Sequence, residues 1–177
     1  FAHAGGWTQL LDTGSSLSEL ANVTATAPST NDVLTWNGSN WGPAAPSGGS
    51  SLQSRTTASA STSSIANGAA ADITISAAKT YALQKIQTSA AAWVTLYTDT
   101  TSRTNDASRG ETTDPVSGSG VIAEVITTGA ATQKITPGTI GWNDDGTPSS
   151  NVYLKVVNKS GSTQAITVTL YYVQLEA

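Results

Sequence analysis

The chain has no cysteine and no methionine, a single histidine, and few charges: Lys+Arg 8 against Asp+Glu 12, or 11% charged in 177 residues. Without cysteine there is no disulfide framework and no thiolate metal site. With His3 as the only imidazole, zinc would have to rely on carboxylates, a poor ligand set for that ion. A Ser-His-Asp triad would need His3 to reach a distant serine, and no G-x-S-x-G elbow is present. Sparse, slightly acidic charge argues against nucleic-acid binding, which needs clustered basic residues. No apolar run approaches the roughly 18 residues of a membrane-spanning helix, and no basic-then-apolar leader opens the chain, so membrane insertion is not expected. Methionine is missing even at position 1, so the chain reads as processed or as the ordered part of something longer.

What is present is a surplus of Ser, Thr, Ala and Gly, with Val, Ile and Leu in short runs. Few stretches could form an amphipathic helix, while β-branched residues recur throughout, which favours strands. The length suits one ordinary domain plus an extension. Small polar residues with little charge fit an all-β protein covered by neighbouring subunits, or an extracellular particle. They point away from a cytosolic metabolic enzyme.

Three regions differ in texture. Residues 1–46 mix apolar positions with turn residues and read as an attachment segment. Residues 47–64, SGGSSLQSRTTASASTSS, hold eleven Ser or Thr in eighteen positions and one large apolar residue, Leu52. Such a stretch buries too little to offset its ordering entropy, so a linker, or an arm ordered only by a partner, is expected. From Ile65 to Ala177 the pattern is that of repeated strands.

Alternation locates them. ADITIS places Ile73 and Ile75 on one face, and TYALQKIQT does the same with Tyr81 and Leu83 before shifting phase to Ile86, the mark of a bulge. AAWVTLYT puts Val94 and Leu96 on one side with Trp93 and Tyr97 on the other. VIAEVITT, ATQKITPG, NVYLKVVN and QAITVTLYYVQLEA follow, the last with a phase change near Leu170–Tyr171. NKSGST, with Gly161 able to take positive φ, predicts a hairpin between the final two strands. Seven strands in 65–177 predict an antiparallel β-sandwich of jelly-roll type.

Candidate sites are few. GSGVIAE has its glycines before a strand rather than a helix, so it does not cradle phosphate. Asp144 with Asp145, and Glu111 with Asp114, lack the context of a glycosidase cleft. They serve as turn residues more readily than as calcium ligands. No catalytic residue, cofactor or metal site is expected. The Thr98–Gly120 segment is long for a compact domain and carries Arg103, Asp106, Arg109, Glu111 and Asp114. It reads either as a solvated loop or as a contact loop for a neighbouring subunit or receptor. Trp93, Tyr97 and Tyr153 are expected to face outward, for subunit contact, for sugar stacking, or beneath the N-terminal arm.

In DVLTWNGSNWGP, residues 32–43, Asn37-Gly38 signals a tight turn, and Trp36 and Trp41 would face each other across a tiny hairpin. Such a unit is too small to fold alone. The pattern Leu17-Ser-Glu-Leu20, a proline loop, then Asp-Val-Leu-x-Trp-Asn-Gly-x-x-Trp-x-Pro resembles short repeats of tail-fibre and other virion structural proteins of tailed phages, of the cyanobacterial-phage type. The resemblance covers Leu17–Pro43, about one unit; GGWTQLLD, residues 5–12, would end a preceding one. KTYALQKIQTSAAAWVTLYTD and the C-terminal strands resemble the terminal β-domain of such proteins. The resemblance implies a non-enzymatic virion component in fibre, neck or decoration. It would attach through Leu17, Leu20, Trp36, Asn37, Gly38 and Trp41, and self-associate, with a homotrimer expected. Its partners would be other virion proteins, with host surface glycans as a further class. A carbohydrate-binding module using Trp93, Tyr97 and Tyr153 is the alternative.

Overall fold

A computed structural model describes residues 20, 22–24, 26–46 and 53–177, and the chain separates into two units, Phe1–Ser51 and Leu52–Ala177. In the first unit, β1 (Val33–Trp36) and β2 (Trp41–Ala44) form a two-stranded antiparallel sheet.

The second unit holds eight strands: β3 (Arg55–Ser61), β4 (Ala70–Ser76), β5 (Thr80–Thr88), β6 (Ala92–Tyr97), β7 (Val121–Ile126), β8 (Ala131–Trp142), β9 (Asn151–Asn158) and β10 (Thr167–Glu176). They pair first with last: β3 with β10, β4 with β9, β5 with β8 and β6 with β7, all antiparallel. This unit is thus one long antiparallel ribbon, turned back between β6 and β7. Rolling that ribbon adds the pairs β10–β5 and β6–β9 and closes two four-stranded sheets, β3-β10-β5-β8 and β4-β9-β6-β7. This is jelly-roll topology, and the all-β sandwich expected from alternation is what forms.

Period-2 alternation supplies the core. Ile73 and Ile75 from β4, Val94 and Leu96 from β6, and Val152, Leu154 and Val156 from β9 meet Leu83, Ile86, Val168 and Leu170 from the facing sheet. Burying each such side chain contributes about 1.5–3 kcal/mol. The phase shift in β5 is a bulge: pairing with β8 slips between Leu83 and Lys85, so both Leu83 and Ile86 reach the core. Tyr81 and Tyr172 meet edge to face at 6.0 Å. A Cβ at Gly141 would lie 2.5 Å from the Tyr81 ring, so glycine there makes room for the tyrosine.

Three expectations are corrected. Residues 55–61 are not linker but edge strand β3, and Thr62 behind it is buried. Small residues suffice because the backbone pairs with β10 and Ala58 and Ala60 turn onto the core. The folded unit therefore starts before Ile65, while 47–52 fall outside the described residues. NKSGST does not close a hairpin, since β9 and β10 lie in different sheets and the turn crosses between them. The Asn158 side chain ties that crossing, donating to the Ile65 and Ser162 carbonyls and accepting from the Ser160 N–H. Finally, β10 keeps its alternation through Val168, Leu170 and Tyr172; the slip near Tyr171 is in its pairing with the bulged β5.

Candidate functional site

The tryptophan hairpin forms in the register its sequence suggests. Trp36 pairs with Trp41, with ring centroids 5.5 Å apart and planes tilted by 53°. Asn37–Asn40 make the turn. The Asn37 N–H donates to the Asn40 carbonyl, and the Asn37 side-chain oxygen accepts from the N–H groups of Ser39 and Asn40. Gly38 sits at φ 99°, a conformation that disfavours any side chain. On its other edge Trp41 bridges to the 22–24 segment, its N–H donating to the Asn22 carbonyl and its carbonyl accepting from the Thr24 N–H. Register places Leu34 opposite Pro43 and Trp36 opposite Trp41, so these four share one face. Leu34, Trp36 and Trp41 are 50%, 46% and 40% exposed, and Leu20 is exposed as well. Leu17 lies outside the described residues.

Trp93, Tyr97 and Tyr153 do point away from the sandwich core, but they are not exposed: they retain 4%, 0% and 7% accessibility. What covers them is the β6–β7 connection, which folds back over the outer face of β4-β9-β6-β7 and sets Asp106 on Tyr97, Arg109 over Trp93 and Arg103 over Tyr153. It begins with a short helix, α1 (Thr100–Asn105), capped by Asp99, whose side chain accepts from the Ser102 N–H and hydroxyl. It ends at Gly120, with φ 69°, where a Cβ would stand 2.3 Å from the Ser102 hydroxyl.

The loop's charges, Asp114 apart, pair within the chain, and burial corrects the contact-loop expectation for Asp106 and Arg109, while the Glu111 side chain remains 30% exposed. Asp106 reaches onto the sheet and accepts from the Arg109 guanidinium at 2.8 Å and the Tyr97 hydroxyl at 2.7 Å. Arg109 also donates to Glu124 at 2.5 Å and to the Thr113 carbonyl at 2.9 Å. Lys155, buried in the middle of β9, donates to the Asp106 carbonyl at 2.9 Å. Both Arg109 and Lys155 lie over the Trp93 ring, at 5.2 and 4.6 Å from its centroid. Arg103 pairs with Asp72, donates to the Ile73 carbonyl and lies over Tyr153, whose hydroxyl donates to Asp145 at 2.5 Å. Glu111 pairs with Lys159. Asp114 alone of the five stays exposed without such a partner among the described residues.

Two carboxylates and two cations thus neutralise each other, with the side chains of Asp106, Arg109 and Lys155 buried and Glu124 at the partly exposed rim. Burial opposes charge on Asp106, but the hydrogen bonds from Arg109 and Tyr97 outweigh it and hold its carboxyl below the ordinary range. Burial pushes the Lys155 ammonium down, and attraction to Asp106 recovers only part of that. Burial and the Asp106 hydrogen bond push the Tyr97 phenol up. The cluster anchors the loop. Lys155 and Glu124 escaped the sequence reading, although a lysine at the centre of NVYLKVVN, flanked by apolar residues, signals a buried cation needing a partner.

Beside Trp93 an open cleft of ≈ 390 Å³ is lined by Asn67, Glu111, Asn158 and Lys159, among others. Among the described residues no three acidic or histidine side chains gather as a metal-ligand set, and Asp145 is engaged by Tyr153 and Asn143. No family model and no curated protein matches this chain.

Proposed function

We propose that this chain is a non-enzymatic virion structural protein of a tailed phage, a fibre, neck or decoration component. It attaches through its N-terminal segment, projects the jelly-roll sandwich, and assembles as a homotrimer. One observation carries the reading: the hairpin turns Leu34, Trp36, Trp41 and Pro43 to one face and leaves its large side chains about half exposed. Two four-residue strands cannot stabilise themselves in water, and aromatic residues of this kind are the usual anchors of an interface. The repeat-like pattern over Leu17–Pro43 and a jelly roll, a fold used in capsid and lectin domains, are consistent with it, though fold by itself does not assign function.

The test is the double substitution Trp36→Ala/Trp41→Ala in the full chain. Truncating a desolvated tryptophan anchor costs roughly 2 kcal/mol or more, and symmetry repeats that loss in every subunit. Mass spectrometry of purified particles should find the variant absent, while circular dichroism shows its sandwich still folded. Native mass measurement of the unaltered chain should give trimers. Normal incorporation of the variant, or only monomer at micromolar concentration for the unaltered chain, would overturn the reading.

A further inference from the structure

The cations of this chain fall into two groups. Arg103, Arg109, Lys155 and Lys159 all make ion pairs over the β4-β9-β6-β7 sheet. Arg55, Lys79, Lys85 and Lys134, the remaining four of the eight, make no ion pair among the described residues. Three of those four stand on one surface, the outer face of β3-β10-β5-β8.

Register shows how they are set out. Thr57, Tyr171, Lys85 and Lys134 form one row across the sheet. Lys85 therefore lies directly opposite Lys134, and it also lies 5.3 Å from the Tyr171 ring centroid. Like charges directly opposite on neighbouring strands destabilise a sheet, so folding gives no reason for this pair. Arg55 occupies an adjoining row with Ile140, which is 52% exposed, and Trp142 beyond it is 47% exposed. On the other side the row is Ser59, Thr169, Gln87 and Thr132, all hydroxyls and amides. The chain carries an excess of acids, yet this face holds one, Glu176, which accepts from Thr80.

We propose that this face binds an acidic polysaccharide, its anionic groups on Lys85, Lys134 and Arg55, its hydroxyls on the Ser/Thr/Gln row, and a sugar ring against Trp142. Three unpaired cations call for an anionic ligand. These positions run across all four strands rather than converging on one point, which suits an extended chain. Cores of protein–protein interfaces are depleted in lysine and serine, which this face has, so an acidic protein fits it less well. Nucleic acid is the other extended polyanion, and this face offers it one outward tryptophan and no row of aromatic rings on which successive bases could stack. The inference names a glycan class and relocates glycan contact from the buried Trp93, Tyr97 and Tyr153. It does not depend on particle attachment.

The test is binding of the full chain to immobilised alginate and dextran sulfate, against neutral dextran, poly-glutamate and a single-stranded oligonucleotide. Binding to at least one acidic polysaccharide above all three controls is expected, weakening with added salt as counterion release requires. Lys85→Gln/Lys134→Gln should reduce it by at least about tenfold, with a shallower salt dependence. Trp142→Ala should reduce it without changing that dependence. All three positions are on the sheet's outer face, so the double lysine variant should unfold at no lower temperature than the unaltered chain while binding is lost. No binding to either acidic polysaccharide at low salt would overturn the proposal. So would equal binding to poly-glutamate or the oligonucleotide, or undiminished binding by the double lysine variant. Trp36 and Trp41 are intact in these variants, so such a failure would leave the particle-incorporation test as it stands.

Discussion

The two sheets of the sandwich share a core but present opposite outer faces. On β4-β9-β6-β7 all six residues of β6 are buried, because a long connection lies over the sheet and seats Asp106 and Arg109 on it. On β3-β10-β5-β8 burial alternates along β5 and β10, and the outward side chains Lys85, Lys134, Ile140 and Trp142 have no such cover from the described residues of this unit. The same period-2 strand can therefore be a solvated surface or an interior layer. Charge on the covered face is spent on architecture, whereas charge on the open face is available to a partner.

That difference makes quantitative expectations. The largest effect belongs to Asp106→Ala, which leaves Arg109 with Glu124 as its one carboxylate partner and takes away the carboxylate 3.9 Å from the enclosed Lys155 ammonium. Removing one member of a buried ionic cluster costs about 3–5 kcal/mol, so denaturant unfolding should show a loss of that size. A loss below about 1 kcal/mol, the size of an exposed ion pair, would mean that the loop is not sealed over the sheet.

The same carboxylate contributes to the acid limb, beside Asp99, where burial opposes charge but hydrogen bonds from Ser102 and Thr98 hold the carboxyl below the ordinary range. The folded pKa of Asp106 lies below the unfolded value of about 3.9. Its contribution is therefore complete above that pH and is lost as pH falls through the depressed folded value. Asp106→Asn should flatten the acid-side decline in unfolding free energy, and an unchanged slope would place that decline on other groups.

On the inner side the two sheets should respond alike to overpacking. Gly141→Ala drives a Cβ to 2.5 Å from the Tyr81 ring, and forced repacking of a filled core typically costs about 1–3 kcal/mol. Thermal unfolding checks it, and a neutral result would show that Tyr81 has room to turn away.

The smallest effect is expected on the open face. Lys134→Glu replaces a like-charge pair opposite Lys85 with an opposite-charge one, a gain of about 0.2–1 kcal/mol. A measurable loss of stability there would contradict the register that sets the two lysines side by side.

Particular residues show how far the sequence could be read. Ile73, Ile75, Val94, Leu96, Val152, Leu154 and Val156 alternate cleanly, and all are in the core. The Asn37-Gly38 turn and the Trp36–Trp41 pair are legible because everything that determines them lies within a few residues. Trp93, Tyr97 and Tyr153 were correctly placed on the face opposite the core, but nothing in their own strands says that a loop from elsewhere will cover that face. Arg55–Ser61 was misread because composition weighs side-chain burial, while an edge strand is stabilised largely by backbone pairing with its neighbour.

Local chemistry was therefore enough to specify strands, turns and the side each residue takes, since alternation and turn preference are properties of a few consecutive residues. Which outer face would be dry, which lysine would meet an aspartate and which would meet another lysine came from the winding of the ribbon. Asp106 with Lys155 and Lys85 with Lys134 are each 49 residues apart, and sequence spacing carries no information about whether a fold will bring such residues together.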